Sequence, residues 1–139
     1  MFSKDITIDK IQQLGDGCMV SHLGIKMIEI GDDYLKASMP VDHRTTQPFG
    51  ILHGGASVVL AETLGSVASN LLINNKTHIA VGLDINANHL RPVNSGNTVI
   101  GIVKPLHLGR KTHVWEIKIH NTDQKLVCIS RLTVSVIEK

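Results

Sequence analysis

Residues 54–73 read GGASVVLAETLGSVASNLLI, and Glu62 is the only charged residue among them. Apolar or small side chains occupy nearly every helical face of this stretch. A helix without a polar stripe is a helix surrounded by protein, so the sequence predicts one long buried helix at the centre of the fold. A carboxylate there must leave water, which is costly unless it is paired, neutralised or used in chemistry. Glu62 is therefore the first candidate catalytic residue.

The segments around this helix predict strands, because apolar residues recur there with a period of two or in short runs. The predicted elements are a short helix over 9–14 and strands over 34–41, 81–89, 98–104, 114–120 and 126–137. One strand, a long helix and four further strands predict an α+β fold in which a curved antiparallel sheet wraps the helix. One sheet face cannot hide a helix that is apolar all round. A second copy of the chain is expected to cover its far side.

Composition indicates an ordinary globular protein. Its 139 residues, 42% hydrophobic and 19% charged, predict a single domain, 1–139. Glu62, Asn70 and the nearby glycines and serines argue against a membrane span. The first ten residues lack the apolar core of a signal peptide, and the two distant cysteines, Cys18 and Cys128, indicate a reduced, cytoplasmic setting.

Neither a metal site nor a nucleic-acid site is indicated. The eight histidines show no HExxH-like spacing, so no metal is expected. Aromatic residues, at 3%, leave few stacking platforms for nucleic acid. Charge is uneven, however: residues 1–77 carry 6 Lys/Arg and 8 Asp/Glu, a net of −2, and residues 78–139 carry 8 and 4, a net of +4. This indicates either a scattered solvated surface or a basic rim for an anionic ligand.

The segment QPFGILHGG, residues 47–55, leads into the helix. Two glycines, Gly54 and Gly55, leave bare N–H groups at the positive end of the helix dipole, where they could polarise a carbonyl or bind an oxyanion. Close packing of the helix start against a strand would favour the same two glycines. His53 is compatible with acid–base chemistry and equally with a hydrogen bond to the backbone.

Two hydroxyl residues, Ser66 and Ser69, follow Glu62 on the same helical face. The Ser66 hydroxyl is placed either to donate a hydrogen bond to the carboxylate or to bond to a carbonyl of its own helix. For Glu62 the structural alternative is a buried ion pair, although the helix segment holds no Lys or Arg to form it.

The spacing of Gly54 and Glu62 has a consequence for assembly. Eight residues of helix extend about 12 Å at 1.5 Å per residue, so one substrate carbonyl cannot touch both groups on the same helix. If two copies packed their helices antiparallel, the start of one helix would lie beside the middle of the other. Provided that both groups act on one carbonyl, the spacing predicts a dimer with shared sites.

These motifs resemble the hotdog-fold acyl-CoA thioesterases. The matching segments are MPVDHRTTQPFGILHGG (39–55), VGLDINANHLRP (81–92), KPLHLGR (104–110) and SRLTVSV (130–136), together with Glu62 nine residues after His53. The similarity is greatest to the branch of the 4-hydroxybenzoyl-CoA thioesterases of the Arthrobacter type, the phenylacetyl-CoA thioesterases and the 1,4-dihydroxy-2-naphthoyl-CoA hydrolases. The resemblance implies a hotdog fold, dimers paired into a homotetramer, and hydrolysis of aromatic acyl-CoA to free acid and CoA without metal or cofactor.

Carried over by position, the resemblance also implies roles for individual residues. Glu62 would be the nucleophile or the base that activates water, Gly54 would polarise the thioester carbonyl, and Gln47, His53 and Ser66 would assist. The residues implied for CoA binding are Gly82, His89, Leu90, Arg91, Pro92, His107, Leu108, Gly109, Arg110, Lys111, Thr112 and Val136.

Two other functions fit the same residues. A hotdog dehydratase would use His53 and Glu62 to remove water from 3-hydroxyacyl thioesters, and a non-catalytic protein would only bind acyl-CoA. An enoyl product would favour the first, and tight binding without hydrolysis would favour the second.

Overall fold

The computed structural model describes residues 1–3 and 5–139. Its elements are α1 (Ile8–Gln13), α2 (Met19–His22), β1 (Lys26–Ile30), β2 (Leu35–Pro40), α3 (Gly54–Asn70), β3 (His78–His89), β4 (Thr98–Leu108), β5 (Thr112–Asn121) and β6 (Leu126–Glu138). The long helix begins at the predicted glycines and ends three residues before the apolar stretch does. None of the described helices is long and apolar enough to cross a membrane.

Strand β1 and helix α2 are not predicted from the sequence. The sequence of β1, KMIEI, lacks a period of two in hydropathy. A bulge between Met27 and Glu29 leaves Ile28 unpaired, and this residue is exposed. A second bulge, between Pro105 and His107, lets β4 continue beyond the predicted end at residue 104. Proline is tolerated in a strand at such a bulge.

The six strands form one antiparallel sheet in the order β1-β2-β4-β5-β6-β3. Strand β3 follows α3 in the chain, yet it pairs with β6 at the far edge of the sheet rather than with β4. Helix α3 consequently lies across the sheet and contacts β2, β3, β4, β5 and β6. A curved antiparallel sheet around one helix is the hotdog fold, and the α+β class is confirmed.

Helix α3 buries one side against the sheet. Leu60 and Leu64 are fully buried, and a Cβ on Gly101 of β4 would lie 2.7 Å from Leu64 Cδ1, so glycine allows this close approach. The opposite side of α3 remains partly exposed in a single chain, which differs from a helix enclosed on every face. The residues on that side are Val58, Val59, Glu62, Thr63, Ser66 and Val67.

Candidate active site

The Glu62 side chain rests on strand β3. Its Oε1 lies so close to the position of a Cβ on Gly82 that the carboxylate would have to shift to make room for any larger residue there. Gly82 borders a bulge, since the pairing of β3 with β6 shifts between Gly82 and Asp84. The structure therefore assigns Gly82, implied by the resemblance to contact CoA, a place directly beneath the candidate catalytic acid.

Glu62 also opens into an apolar cavity of about 420 Å³. Among the described residues it takes part in no ion pair, so a structural salt bridge does not explain it. Ser66 borders the same cavity, but within this part of the chain its hydroxyl bonds neither to Glu62 nor to a helix carbonyl. The other residues of the cavity wall are Met19, Val20, Val58, Val59, Thr63 and Val67.

One backbone N–H at the start of α3 is left unpaired among the described residues. His53 caps the helix: its Nδ1 accepts from the Gly55 N–H at 2.8 Å, and its carbonyl accepts from the Ala56 N–H at 3.0 Å. The backbone bond considered for His53 is thus present. The Gly54 N–H finds no acceptor among the described residues. Gly54 therefore presents a free donor at the positive end of the helix.

Gly54 faces a second cavity, of about 380 Å³. A Cβ on Gly54 would lie 2.7 Å from His89 Nε2, so the imidazole lies over the glycine. The Arg91 guanidinium donates to the Leu126 carbonyl at 2.6 Å, which holds this corner of the cavity in place. The fold brings together the predicted residues Gly54, His89, Leu90, Arg91 and Pro92, with Ile51, Leu52, Ser57 and Val127 completing the lining.

The basic turn, residues 109–111, borders a third cavity, of about 740 Å³, formed mainly by the ends of β3 and β6. Of the predicted residues, Arg110, Lys111, Thr112 and Val136 line it, whereas His107, Leu108 and Gly109 do not. In the described chain neither Arg110 nor Lys111 forms an ion pair, so both cations are available to a ligand.

Gln47 is engaged within its own loop. Its side-chain Oε1 accepts from the Phe49 backbone N–H at 2.6 Å, and its backbone N–H donates to the Ile51 carbonyl at 2.9 Å. The side chain lines none of the three cavities described above. Its predicted assistance to Gly54 remains a prediction.

An ion pair supports the loop before α3. Arg44 Nη2 lies 2.6 Å from Asp42 Oδ2, and hydrogen bonds from Arg44 lower the pKa of Asp42 to about 2. One residue further along the chain, the Thr45 carbonyl accepts from the His53 N–H at 2.8 Å. The loop is thereby fixed to His53, the residue that caps α3.

The predicted groups fall at two distant places within one chain. Gly82, beneath Glu62, and His89, over Gly54, are seven residues apart on β3, about 23 Å along a strand. On β6, Gly82 pairs with Val134 and His89 with Cys128. The carboxylate and the free N–H consequently face different cavities.

Comparison with known proteins identifies the family. The sequence profile of the thioesterase superfamily matches residues 49–128, from the loop before α3 into β6. The chain belongs to the thioesterase superfamily. It is 50% identical over 137 residues to the 1,4-dihydroxy-2-naphthoyl-CoA hydrolase of Escherichia coli K12, covering 99% of each chain.

Solved structures agree with this assignment. A thioesterase variant from Pseudomonas aeruginosa matches with a TM-score of 0.96 and 44% identity over 99% of both chains. A thioesterase from Haemophilus influenzae matches with a TM-score of 0.93 and 52% identity, over 99% of this chain and 94% of that one. The protein is therefore a thioester hydrolase.

One contact that supports the candidate site in this thioesterase does not follow from the sequence, where Asn70 argues only against a membrane span. The Asn70 amide donates to the Ala80 carbonyl at 3.1 Å and accepts from the Ala80 N–H at 3.1 Å. It also donates to the Ser66 carbonyl at 2.9 Å. Asn70 thus clamps the end of α3 to β3, two residues before Gly82. Its only signal in the sequence is that Asn70 is the one amide side chain within the apolar stretch 54–73.

Proposed function

We propose that this thioesterase hydrolyses aromatic acyl-CoA to the free acid and CoA. The observation that carries the proposal is the Glu62 carboxylate, held against Gly82 and open to an apolar cavity without a paired cation. An aromatic acyl group would bury apolar surface in such a cavity. The name of the Escherichia coli relative, a naphthoyl-CoA hydrolase, supports the same substrate class.

The proposed chemistry uses a carboxylate and one backbone donor. A thioester is already activated and its thiolate leaves readily, so these two groups are sufficient. The Gly54 N–H donates to the thioester carbonyl oxygen, and Gln47 and His53 support that end. Glu62 attacks the carbonyl carbon, or it takes the proton of a water that attacks there, with Ser66 orienting the carboxylate or the water. The C–S bond then breaks and CoA leaves as a thiolate. Direct attack of water gives the free acid at once, whereas attack of Glu62 gives a mixed anhydride that water then hydrolyses to the free acid and the Glu62 carboxylate. The proton released from water passes to the thiolate or to solvent.

We further propose that each site is shared between two subunits. The Gly54 N–H and Glu62 face different cavities in one chain, so a common carbonyl requires two chains. The partly exposed side of α3 supports an antiparallel pairing of two helices. Strand β3 supports it too, because Val81 and Leu83 on this edge strand are 38% and 68% exposed, and unpaired apolar edges favour association.

The CoA moiety would contact residues of both subunits. Arg110, Lys111 and Thr112, with Val136 nearby, lie on the Glu62 side, and their unpaired cations suit phosphate groups. Residues 89–92 lie on the Gly54 side. His107, Leu108 and Gly109 would shape the turn that carries the cations.

A pair of dimers forming a homotetramer completes the proposal. It is supported by an outer face of the sheet where Ile28, Ile100 and Ile102 border a cavity of about 480 Å³. Ile28 is 42% exposed there. Sedimentation equilibrium would report the mass of the assembly, and a monomer at micromolar concentration would contradict both the dimer and the tetramer.

The decisive experiment replaces Glu62 by Gln. We expect kcat for benzoyl-CoA to fall by about 10²–10⁴-fold, because an amide neither attacks nor accepts the proton. Glu116→Gln, a matched change on the outer face of the sheet, should leave kcat unchanged. Release of CoA thiol measures the rate, and near wild-type turnover of Glu62→Gln would end the proposed mechanism.

Product analysis separates the alternatives. Mass spectrometry should show benzoic acid from benzoyl-CoA and no enoyl product from a 3-hydroxyacyl-CoA. An enoyl product would favour the dehydratase, and tight binding without hydrolysis would favour a non-catalytic binder.

Mixed dimers test the shared site. Subunits carrying Glu62→Gln and subunits altered at Gly54 should recover activity when combined, since one site per dimer then holds both intact groups. Confirmed heterodimers without recovered activity would count against sharing.

A further inference from the structure

A buried polar cluster lies beyond Glu62 on α3 and is not used by the proposed chemistry. Ser69 and Trp115 are fully buried and His113 is 5% exposed. Trp115 Nε1 lies 2.7 Å from Ser69 Oγ, and His113 Nδ1 lies 3.1 Å from the same oxygen. Ser69 was expected on the same helical face as Glu62, but its hydroxyl is hydrogen-bonded to two residues of β5.

The donors and acceptors in this cluster follow in part from their chemistry. An indole N–H only donates, so it donates to Ser69 Oγ. His113 Nδ1 is the second partner of the same oxygen, and the tautomer of the ring decides which of the two atoms donates. Ser69 therefore joins α3 to two side chains of β5, and one of them, His113, lies two residues after the basic turn.

His113 is placed at the base of the basic turn. It pairs with Leu108 across the β4–β5 hairpin, and the Gly109 N–H donates to the Thr112 carbonyl at 2.9 Å. The Val136 N–H donates to the Lys111 carbonyl at 2.9 Å, which ties the turn to β6. The Ser69–His113 bond adds a tie to the helix that carries Glu62, seven residues or about 10 Å before Ser69.

We propose that Ser69 and His113 are positioning residues, which hold the basic turn at a fixed place relative to Glu62 and so set the affinity for the nucleotide part of CoA. This inference rests on the proposed use of CoA as the thiol. Burying polar groups costs free energy that an apolar cluster would not, and what the hydrogen bonds add is a defined orientation. A long thioester that touches Glu62 at one end and phosphate-binding cations at the other requires such an orientation.

Ser69→Ala tests whether the Ser69–His113 hydrogen bond positions the turn, with Trp115→Phe as its matched control. Ser69→Ala breaks the bond to His113, whereas Trp115→Phe removes only the bond from the indole and leaves Ser69 bonded to His113. We expect Ser69→Ala to raise KM for benzoyl-CoA about 3- to 10-fold, the value of one hydrogen bond, with kcat within about two-fold. KM for benzoyl-pantetheine, which lacks the nucleotide, should not change. Trp115→Phe should leave both KM values unchanged even where it lowers Tm.

Hydrogen exchange of the peptide covering residues 107–112 gives a reading that needs no substrate. Exchange should be faster in Ser69→Ala than in Trp115→Phe or wild type. Equal exchange in all three proteins, or an equal rise of KM for both thioesters, would contradict the proposal that Ser69 and His113 position the turn. If wild type shows no preference for benzoyl-CoA over benzoyl-pantetheine, the proposed CoA contact fails instead, and the exchange result still decides whether Ser69 positions the turn.

Discussion

The start and the middle of helix α3 each present a group proposed to react, and the two places are built differently. At the start, Gly54 offers a backbone N–H beside His89 and Arg91, at the end of a polar loop. In the middle, Glu62 offers a side chain between apolar walls, on a glycine of another strand. A backbone donor needs only a helix terminus. A carboxylate needs space that a distant part of the chain leaves open, so the second place depends far more on the tertiary structure.

Apart from the replacement of Glu62 itself, the largest expected effect comes from removing the Gly54 N–H. Gly54→Pro removes the N–H but suits the first helical position, and His53 already has the extended φ of −72° and ψ of 132° that proline requires of its predecessor. We expect kcat to fall about 10²–10³-fold, the effect of losing one oxyanion donor. Thiol release from benzoyl-CoA measures it.

Gly54→Ala is the control for this prediction. It keeps the N–H, and its Cβ must displace only the end of the flexible His89 side chain, so a smaller loss is expected. Circular dichroism should show both variants folded. Equal losses of kcat in the two variants would mean that the N–H does not act on the substrate.

The second place, around Glu62, is tested by adding a side chain at Gly82, beneath the carboxylate. Gly82→Ala places a methyl group too close to Glu62 Oε1, so the carboxylate must move. We expect kcat to fall about 10- to 100-fold, since misplacement of a reacting group by about 1 Å has effects of this size. In a Glu62→Gln background the same change should have no further effect on kcat. Full additivity of the two changes would show that Gly82 acts independently of Glu62.

The smallest expected effect is the dependence of stability on pH, which differs between His113, near the end of α3, and Asp42, in the loop before its start. Burial lowers the pKa of His113 below its usual 6.5, so the unfolded chain binds more protons and stability falls as pH drops through that value. The pKa of Asp42 is about 2 against 3.8, so its contribution is present above about pH 4 and is lost only as pH falls towards 2. Between pH 7.5 and 5.5, titration of His113 should therefore lower the free energy of unfolding, whereas Asp42 should contribute no change.

Urea midpoints at pH 7.5, 5.5 and 3 check this difference. His113→Gln should reduce the loss of stability between pH 7.5 and 5.5, because glutamine does not titrate. Asp42→Asn should follow wild type over that interval and depart from it only below about pH 4. A wild-type slope in His113→Gln would assign the loss to other histidines.

Local patterns were sufficient to predict most of the elements. The helix within the apolar stretch 54–73, with its glycine start, and the alternation over 81–89 follow from short-range chemistry, and both elements are present. Strand β1 escaped prediction because its sequence, KMIEI, lacks a period of two, and the bulge that accommodates the extra residue is visible only in the strand pairing. The pairing of β3 with β6 also escaped it, because a sequence shows which face of a strand is apolar but not which neighbour it joins.

The candidate site divides in the same way. Glu62 and Gly54 could be chosen from the sequence, because a charge in an apolar helix and a glycine at its start are local signals. Three arrangements required the tertiary structure: Gly82 beneath Glu62, Asn70 joined to Ala80, and Ser69 joined to His113. Nothing in the spacing of these residues along the chain reports that they touch.

The sequence by itself determined the helix, its acid, its free N–H and the basic character of the second half of the chain. These properties depend on neighbouring residues, whose hydrogen bonds and burial are fixed by local backbone geometry. The tertiary structure alone decided what supports the acid and the donor and which cavity each of them faces. Such contacts are set by strand order and by close packing between segments remote in sequence.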